Sequence, residues 1–421
     1  LVLGRAGFAV TLYEARPELP TPAHTTDLPA ELVCSNSLKS NHLPSAHGLL
    51  KAELRLLESP LLTAAAAASL PAGSALAVNR EQFSTEVLRL IERSGKVSLV
   101  RREIAAPADD GHSIIAAGPL ASERLTHWLQ ETFSTGSLHF YDAIAPIVDT
   151  ESIDRSVVFS ASRWEDGEGD YLNCPFNEDE YRTFYEALRE ADQVAARSFE
   201  DSRFFESCLP IEVAAQRGYK ALAFGPLRPV GLTDPRTGRR PFAVCQLRKE
   251  QVSGESCNLV GFQTRLKIPE QQRVFRMIPG LEHAEFLRYG SIHRNTYLNA
   301  PKLLADDLSF RERPHLQLAG QLCGNEGYTE SIATGHLAAL ALIERLNDRP
   351  WVSPPPESAL GALLHHVTAS EEKHFTPTNI NFGLFPPLPP AGSKRKIGKK
   401  EKQELLCARA LAGITAWSQR E

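Results

Sequence analysis

The 421 residues are 42% hydrophobic and 23% charged, with a formal net charge of -5. This is a globular composition, long enough for two or three domains, and it excludes a disordered chain and a globally basic nucleic-acid binder, so any RNA contact must rest on local patches. No run approaches the roughly 18 consecutive apolar residues of a membrane span, and the N-terminus lacks the basic-then-apolar layout of a signal peptide. Cys34, Cys174, Cys208, Cys245, Cys257, Cys323 and Cys407 include no C-x-x-C and no Cys/His pair at zinc spacing. Reduced thiols, no metal and a cytoplasmic location are therefore expected. With Leu1 first and Met277 the single methionine, the sequence reads as a fragment or a processed chain.

In chain order, Leu1 to Gly7 predicts a helix end closed by glycine, and Phe8 to Tyr13 a strand that finishes at the acid Glu14. An acid there is what a dinucleotide-binding fold uses for ribose hydroxyls, with its glycine turn about 20 residues earlier and hence before residue 1. The stretch Glu31 to Asn41, ELVCSNSLKSN, surrounds Cys34 with small turn-forming side chains, which predicts an accessible thiol on a loop. Ser45 caps a helix with Leu50, Leu54 and Leu57 on one face. Asn79 with Gln82 opens another, carrying Phe83, Val87, Leu90 and Ile91. Ser113 to Pro119 reads as a buried strand ending in a glycine turn at Gly118.

From about residue 121 the texture changes and a second domain is expected. It contains the Asn177/Glu180 capping pair, a helix with Tyr181, Phe184 and Leu188 inward, Cys208 between an acid and a proline, and a Pro/Gly-broken region beyond Gly225. The α/β texture returns at His315 to Gly320, a strand running into a turn with Gly320, Gly324 and Gly327 and then a long Ala-rich helix. Asn379 to Leu388 is too rich in Asn, Pro and aromatics for a helix. Lys394 to Lys402 is a basic run leading into one and is a candidate for RNA phosphate.

Taken together, Thr21-Pro-Ala-His24, Glu31-Leu-Val-Cys-Ser-Asn-Ser-Leu38, Gly48-Leu-Leu-Lys51, Tyr171-Leu-Asn-Cys-Pro175, Pro210-Ile-Glu-Val213, Phe224-Gly-Pro226, Gly261-Phe-Gln-Thr264, His293-Arg-Asn-Thr296 and Asn381-Phe-Gly-Leu-Phe-Pro-Pro-Leu388 resemble one family. It is the folate- and FAD-dependent tRNA (uracil-5-)-methyltransferases, TrmFO, and the resemblance covers nearly the whole chain. It implies an α/β fold: a Rossmann-like FAD-binding domain, its first strand and Gly-rich turn missing here, interrupted by an α+β insertion domain. The expected limits are 1–120 and 312–421 for the FAD-binding parts, the latter with a basic C-terminal tail, and 121–311 for the insertion. It further implies 5-methyluridine formation at position 54 of the tRNA T-loop, with methylenetetrahydrofolate as carbon donor, FAD as carrier and NADPH or NADH as reductant. No membrane and no obligate protein partner are expected.

Residue by residue, the resemblance makes Cys34 and Cys208 the functional thiols, with Cys34 favoured for addition to uracil carbon 6, because carbon 5 is a poor nucleophile until something adds there. Cys174 reads as structural, at a helix entry. Glu14 would hold the adenosine ribose and Gly118 would border the cofactor. Gly320, Gly324 and Gly327 would let backbone approach it, with Glu326 and Tyr328 alongside. His24, His293, Arg294 and Asn295 would contact folate or uracil. Two alternatives accompany this reading: an FAD-deficient, inactive RNA-binding remnant, and a flavoprotein modifying the wobble uridine.

Overall fold

The computed structural model describes all residues but 22, 34, 134–137, 166–168, 195–208, 251–253, 373–374, 390–397 and 421; for 138–144 and 291–296 it describes backbone only. The chain enters through the short helix Val2–Arg5, turned by Gly7 at φ 94°, into the strand Val10–Glu14. That strand pairs in parallel with Val97–Arg101, Glu14 lying opposite Arg101. A parallel pair needs a long crossover. The crossover here holds the helices Ala46–Leu56, Pro60–Ala67 and Arg80–Arg93 and a three-stranded antiparallel sheet of Ser37–Ser40, Ala75–Val78 and Ser69–Leu70. A second parallel pair sets Ser113–Ile115 beside Arg313–Leu318, with Ile115 opposite Leu318.

Local chemistry accounts for the helices. Ser45 accepts from the Gly48 amide and Asn79 from the Gln82 amide, satisfying donors that a helix start leaves unpaired. Asn177 and Glu180 form a full capping box, and the helix they open, Glu178–Glu190, buries Tyr181, Phe184 and Leu188 completely. The Tyr328–Leu346 helix buries Leu337 together with Ala333, Ala338 and Ala341, whose small side chains let neighbours pack close to its axis.

Two main cores result. The first joins residues from Ala46 to Phe133 with residues from Tyr297 to Ile414. The second draws only on residues from Val148 to Ala284 and lies against a six-stranded antiparallel sheet, in which Tyr171–Phe176, Ala243–Lys249 and Ser256–Leu259 are successive neighbours. Where the chain passes from one core to the other, Leu138–Ile144 pairs antiparallel with Ser291–Tyr297, so the outgoing and returning segments travel together. This packing supports drawing the insertion at those paired strands, inside the 121 and 311 limits read from sequence, because Leu125, Leu129, Phe133 and Phe310 belong to the first core.

Three local expectations change. The strand at 113 is only Ser113–Ile115, since Ala116 and Ala117 turn outward. Cys174 sits within a strand, opposite Cys245 and fully buried, and the helix begins later, at Glu178. Leu57 falls just past its helix as the C-cap, while Lys51 and Glu53 are buried with the leucines.

Candidate functional site around the Cys34 loop

Cys34 lies outside the described residues, but the chain on both sides of it is pinned. On the N-terminal side the Arg16 guanidinium, itself buried, donates from Nε to Glu14 Oε1 and from Nη2 to Glu14 Oε2, each at 3.1 Å. It also reaches the Thr26 and Leu28 carbonyls and Glu31 Oε2, at 3.0, 2.9 and 3.0 Å. Glu31 accepts the backbone N–H and hydroxyl of both Thr25 and Thr26. Burial pushes the Glu31 carboxyl up, but those bonds outweigh it and leave the group below the usual carboxylate range. Closer to Cys34, Arg80 Nη1 donates to the Leu32 carbonyl at 3.3 Å, and Arg80 Nε stands 3.1 Å from Glu250 Oε2.

On the C-terminal side Asn36 is fully buried. Its Oδ1 accepts from Arg248 Nε at 2.8 Å and from Asn258 Nδ2 at 3.2 Å, and its Nδ2 donates to the Lys249 carbonyl at 3.1 Å. Arg248 Nη2 donates to Ser35 Oγ at 2.9 Å. Arg248, 7% exposed, and Asn258 come from neighbouring strands of the insertion, and Asn258 also donates to Glu250. One connected polar network, from Arg80 through Glu250 and Asn258 to Arg248, therefore grips both Leu32 and Asn36.

A third support comes from the start of the Tyr328–Leu346 helix. The Tyr328 hydroxyl donates to the Ala30 carbonyl at 2.5 Å, its ring meets Phe83 edge-on at 5.6 Å, and burial pushes the phenol up. Thr329 Oγ1 donates to the Leu38 carbonyl at 3.4 Å. Glu330, buried, accepts the Ile380 amide at 3.1 Å and faces His47 Nδ1 at 3.4 Å. Burial would raise its carboxyl, yet the His47 bond and the charges of Lys39 and His47 hold it below normal. Lys39 donates to Asn379. Lys51, with no exposed surface, donates to the Ser40 and His47 carbonyls at 3.0 and 3.2 Å, and burial pulls its ammonium down to about 8 against the opposing pull of Glu330.

The glycines fall into two kinds. At Gly327, φ 105°, a Cβ would collide with the Glu330 carboxylate and the Asn379 amide. Gly118, φ 72°, has nothing within 4 Å of where a Cβ would be, and at Gly320, φ 76°, such an atom would meet only Ser331, at 3.8 Å. Gly118 and Gly320 leave the carboxyl ends of adjacent parallel strands, the place where open α/β sheets take ligands. The helix after Gly327 has no side-chain cap, and the protein's own Glu330 carboxylate, in its first turn, packs against that glycine.

The structure thus brings Glu14, Gly327 and Tyr328 toward the Cys34 loop, directly or through Arg16 and Glu330. The backbone carbonyl of Glu326 accepts the Asn379 side chain. His24 hydrogen-bonds Thr21 Oγ1 through Nδ1 at 2.5 Å, and burial, then Arg16, lowers its pKa. Next to it the Ala23 carbonyl accepts from Arg288 at 3.2 Å. His293, Arg294 and Asn295 stand on the returning paired strand, opposite Asp142, Tyr141 and Phe140; their side chains, like Cys208, lie outside the described residues. Sequence reasoning missed Arg16, Arg80, Arg248, Glu250 and Asn258. Lys51 and Asn379 stood in quoted segments without a role, and Arg248 carried no signal.

Comparison with known proteins shows the family. A family model described as glucose inhibited division protein A matches residues 1–350. A methylenetetrahydrofolate--tRNA-(uracil-5-)-methyltransferase TrmFO of Nitratidesulfovibrio vulgaris (strain Hildenborough) is 51% identical over 99% of this chain and 88% of its own length. The chain belongs to the TrmFO family. The protein of that name from Anaeromyxobacter dehalogenans is 52% identical, over 99% of this chain and 92% of its own length. Among solved structures, GidA of Aquifex aeolicus superposes with a TM-score of 0.67, covering 100% of this chain and 71% of that one at 13% identity, which shows the α/β fold alone.

Proposed function

We propose that this TrmFO-family chain is a folate-dependent tRNA (uracil-5-)-methyltransferase that forms 5-methyluridine at position 54 of the T-loop. Methylenetetrahydrofolate is the carbon donor, FAD the cofactor and NADPH or NADH the reductant. The observation that carries this reading is identity near one half, over almost the entire chain, to enzymes bearing that name. A cytoplasmic enzyme acting without an obligate protein partner fits it, and among the described residues no helix is long and apolar enough to cross a membrane.

The residues present fit a flavin dinucleotide. Glu14 Oε2 accepts one hydrogen bond from Arg16 and keeps an acceptor site for a ribose hydroxyl. Gly118 and Gly320 leave open space at adjacent strand ends; Gly324, Glu326, Gly327 and Tyr328, assigned to the cofactor with them, lie at the following helix start, where Phe375 packs on Gly324 and Glu330 on Gly327. When bound, FAD supplies the electron and one-carbon transfer chemistry, which no side chain of this chain provides.

The protein's own part is thiol chemistry and positioning. The Cys34 thiolate adds to carbon 6 of uracil, which makes carbon 5 nucleophilic. After the new carbon bond forms, Cys208 takes the proton from carbon 5, and expulsion of the Cys34 thiolate restores the ring. The Arg248 guanidinium is held against Ser35 and Asn36, the two residues that follow Cys34, and so fixes the chain on that side of the thiol. His24, His293, Arg294 and Asn295 are assigned to folate or uracil. Incubation of the protein with methylenetetrahydrofolate, FAD, NAD(P)H and a tRNA transcript, followed by mapping of modified nucleosides, tests this. Product at position 54 agrees with it; product only at the wobble position, or none, contradicts it.

A further inference from the structure

The insertion carries a surface feature that the thiol chemistry does not use. Trp164 and Phe224 are 77% and 78% exposed, the most exposed large apolar side chains among the described residues. Beside Trp164 a surface cavity of about 310 Å³ is lined by Arg163, Trp164, Gly225, Pro226, Arg228, Val230 and Gln246, with no carboxylate among the described residues of its wall; Phe224 directly precedes Gly225 in the chain. Arg163 is fixed by bonds to Gln246 Oε1, the Val230 carbonyl and the Arg228 carbonyl, at 3.1, 2.6 and 2.7 Å. Burial, and then the nearby charge of exposed Arg228, lower the pKa of the Arg163 guanidinium, so the two cations stand close together. The carboxylate of Glu165, exposed next to Trp164, lines no part of the wall.

Trp164 is also held in an unusual backbone state. Its φ is 66°, a left-handed conformation that a bulky residue adopts only when its surroundings impose it. Its amide donates to the Gly231 carbonyl at 3.2 Å, and a Cβ on Gly231 would come within 2.8 Å of indole Cε2. One side of the indole thus rests on bare glycine backbone while most of the ring faces water. Gln246 in the cavity wall is two residues before Arg248 on the same strand, so both side chains leave the same face of the sheet, about 7 Å apart. The cavity therefore adjoins the network that holds Ser35 and Asn36.

We propose that this cavity is a nucleotide-docking site for the RNA substrate: a base next to the target stacks on the Trp164 indole, and its phosphate meets Arg228 and Arg163. The inference rests on the tRNA-methylating reading above and adds the surface that reading lacks. Protruding rings favour RNA over folate, because small-ligand sites enclose most of their ligand, whereas a splayed base arrives on its own chain and needs only a platform and a cation.

The test is fluorescence anisotropy of a labelled T-arm hairpin, with 5-methyluridine formation from full-length tRNA measured in parallel. Trp164→Leu weakens hairpin binding roughly 5- to 150-fold, the strength of base–aromatic stacking, while Trp164→Tyr retains most of it. Arg228→Ala weakens binding and lowers the slope of log affinity against log salt by about 0.7 to 0.9. Gly231→Ala displaces the indole and weakens binding in the same direction as Trp164→Leu. Wild-type affinity and wild-type KM for tRNA in both Trp164→Leu and Arg228→Ala overturn the proposal, whatever the methylation result. Weakened binding in those variants, with no 5-methyluridine from the wild type, upholds the docking site and overturns the methyltransferase reading instead.

Discussion

Arg248 and Arg228 sit on the same insertion and carry the same charge, yet their surroundings give them opposite tasks. Arg248 is buried, with its donors spent on Ser35 and Asn36 and its charge balanced by Glu250 nearby. Arg228 is exposed beside a second guanidinium, in a cavity wall with no carboxylate among its described residues. A buried, satisfied cation fixes geometry because any displacement strands polar groups away from water. An exposed, uncompensated one remains free to meet a ligand. The first arrangement suits the support of a catalytic loop, and the second suits recognition.

The contrast breaks most visibly at Glu250. Glu250→Ala removes the carboxylate that pairs with Arg80 and accepts from Asn258, and urea unfolding should show a stability loss of about 3–5 kcal/mol; a loss under about 1 kcal/mol would mean that the clamp is not a stabilised unit. Lys51 sharpens the same point with a titratable group. Its folded value, about 8, lies below the ordinary 10.5, so between those pH values the unfolded chain binds more protons than the folded one. Wild-type stability therefore gains from Lys51 as pH rises through that window, and the gain is lost as pH falls back to 8. The wild type should gain at most about 3 kcal/mol over Lys51→Met across the window, read from unfolding curves at several pH values; a pH-independent difference contradicts the buried placement.

Asn36→Ala comes next, removing a side chain that makes three buried hydrogen bonds. A loss of about 1–3 kcal/mol is expected, with kcat reduced more than tRNA affinity because the substitution loosens the Cys34 loop and spares the docking surface. The smallest effect on folding belongs to the exposed side. Phe224→Ala and Arg228→Ala should each leave the unfolding free energy within about 0.5 kcal/mol of wild type, so that any change in their tRNA binding is a change in recognition.

What the sequence announced was mostly local. Ser45, Asn79 and the Asn177/Glu180 box mark helix starts because capping involves residues two or three apart. The strand–glycine–helix order at 315–346 was legible for the same reason, as was Gly7 closing the first helix. The clamp was not legible, since Asn36 meets Arg248 and Asn258 only after the insertion folds back on the Cys34 loop, and an arginine in an alternating strand gives no sign of which loop it will face. The burial of Lys51 and Glu53 was not legible either, because it depends on partners far along the chain: Glu53 accepts the Ala359 and Leu360 amides at 2.7 and 2.8 Å and caps the helix that begins there. Trp164 belonged to none of the quoted segments, and its exposure and φ are properties of the folded backbone alone.

The most direct test of Cys34 as the nucleophile of a tRNA uracil-5-methyltransferase is to trap it. A T-arm RNA carrying 5-fluorouracil at the target, incubated with the protein, methylenetetrahydrofolate, FAD and NAD(P)H, should form a covalent complex that survives denaturation. Mass spectrometry should place the nucleotide on the peptide containing Cys34, and Cys34→Ala should abolish the complex. A complex that persists in Cys34→Ala and disappears in Cys208→Ala would contradict the assignment and exchange the roles of the two thiols.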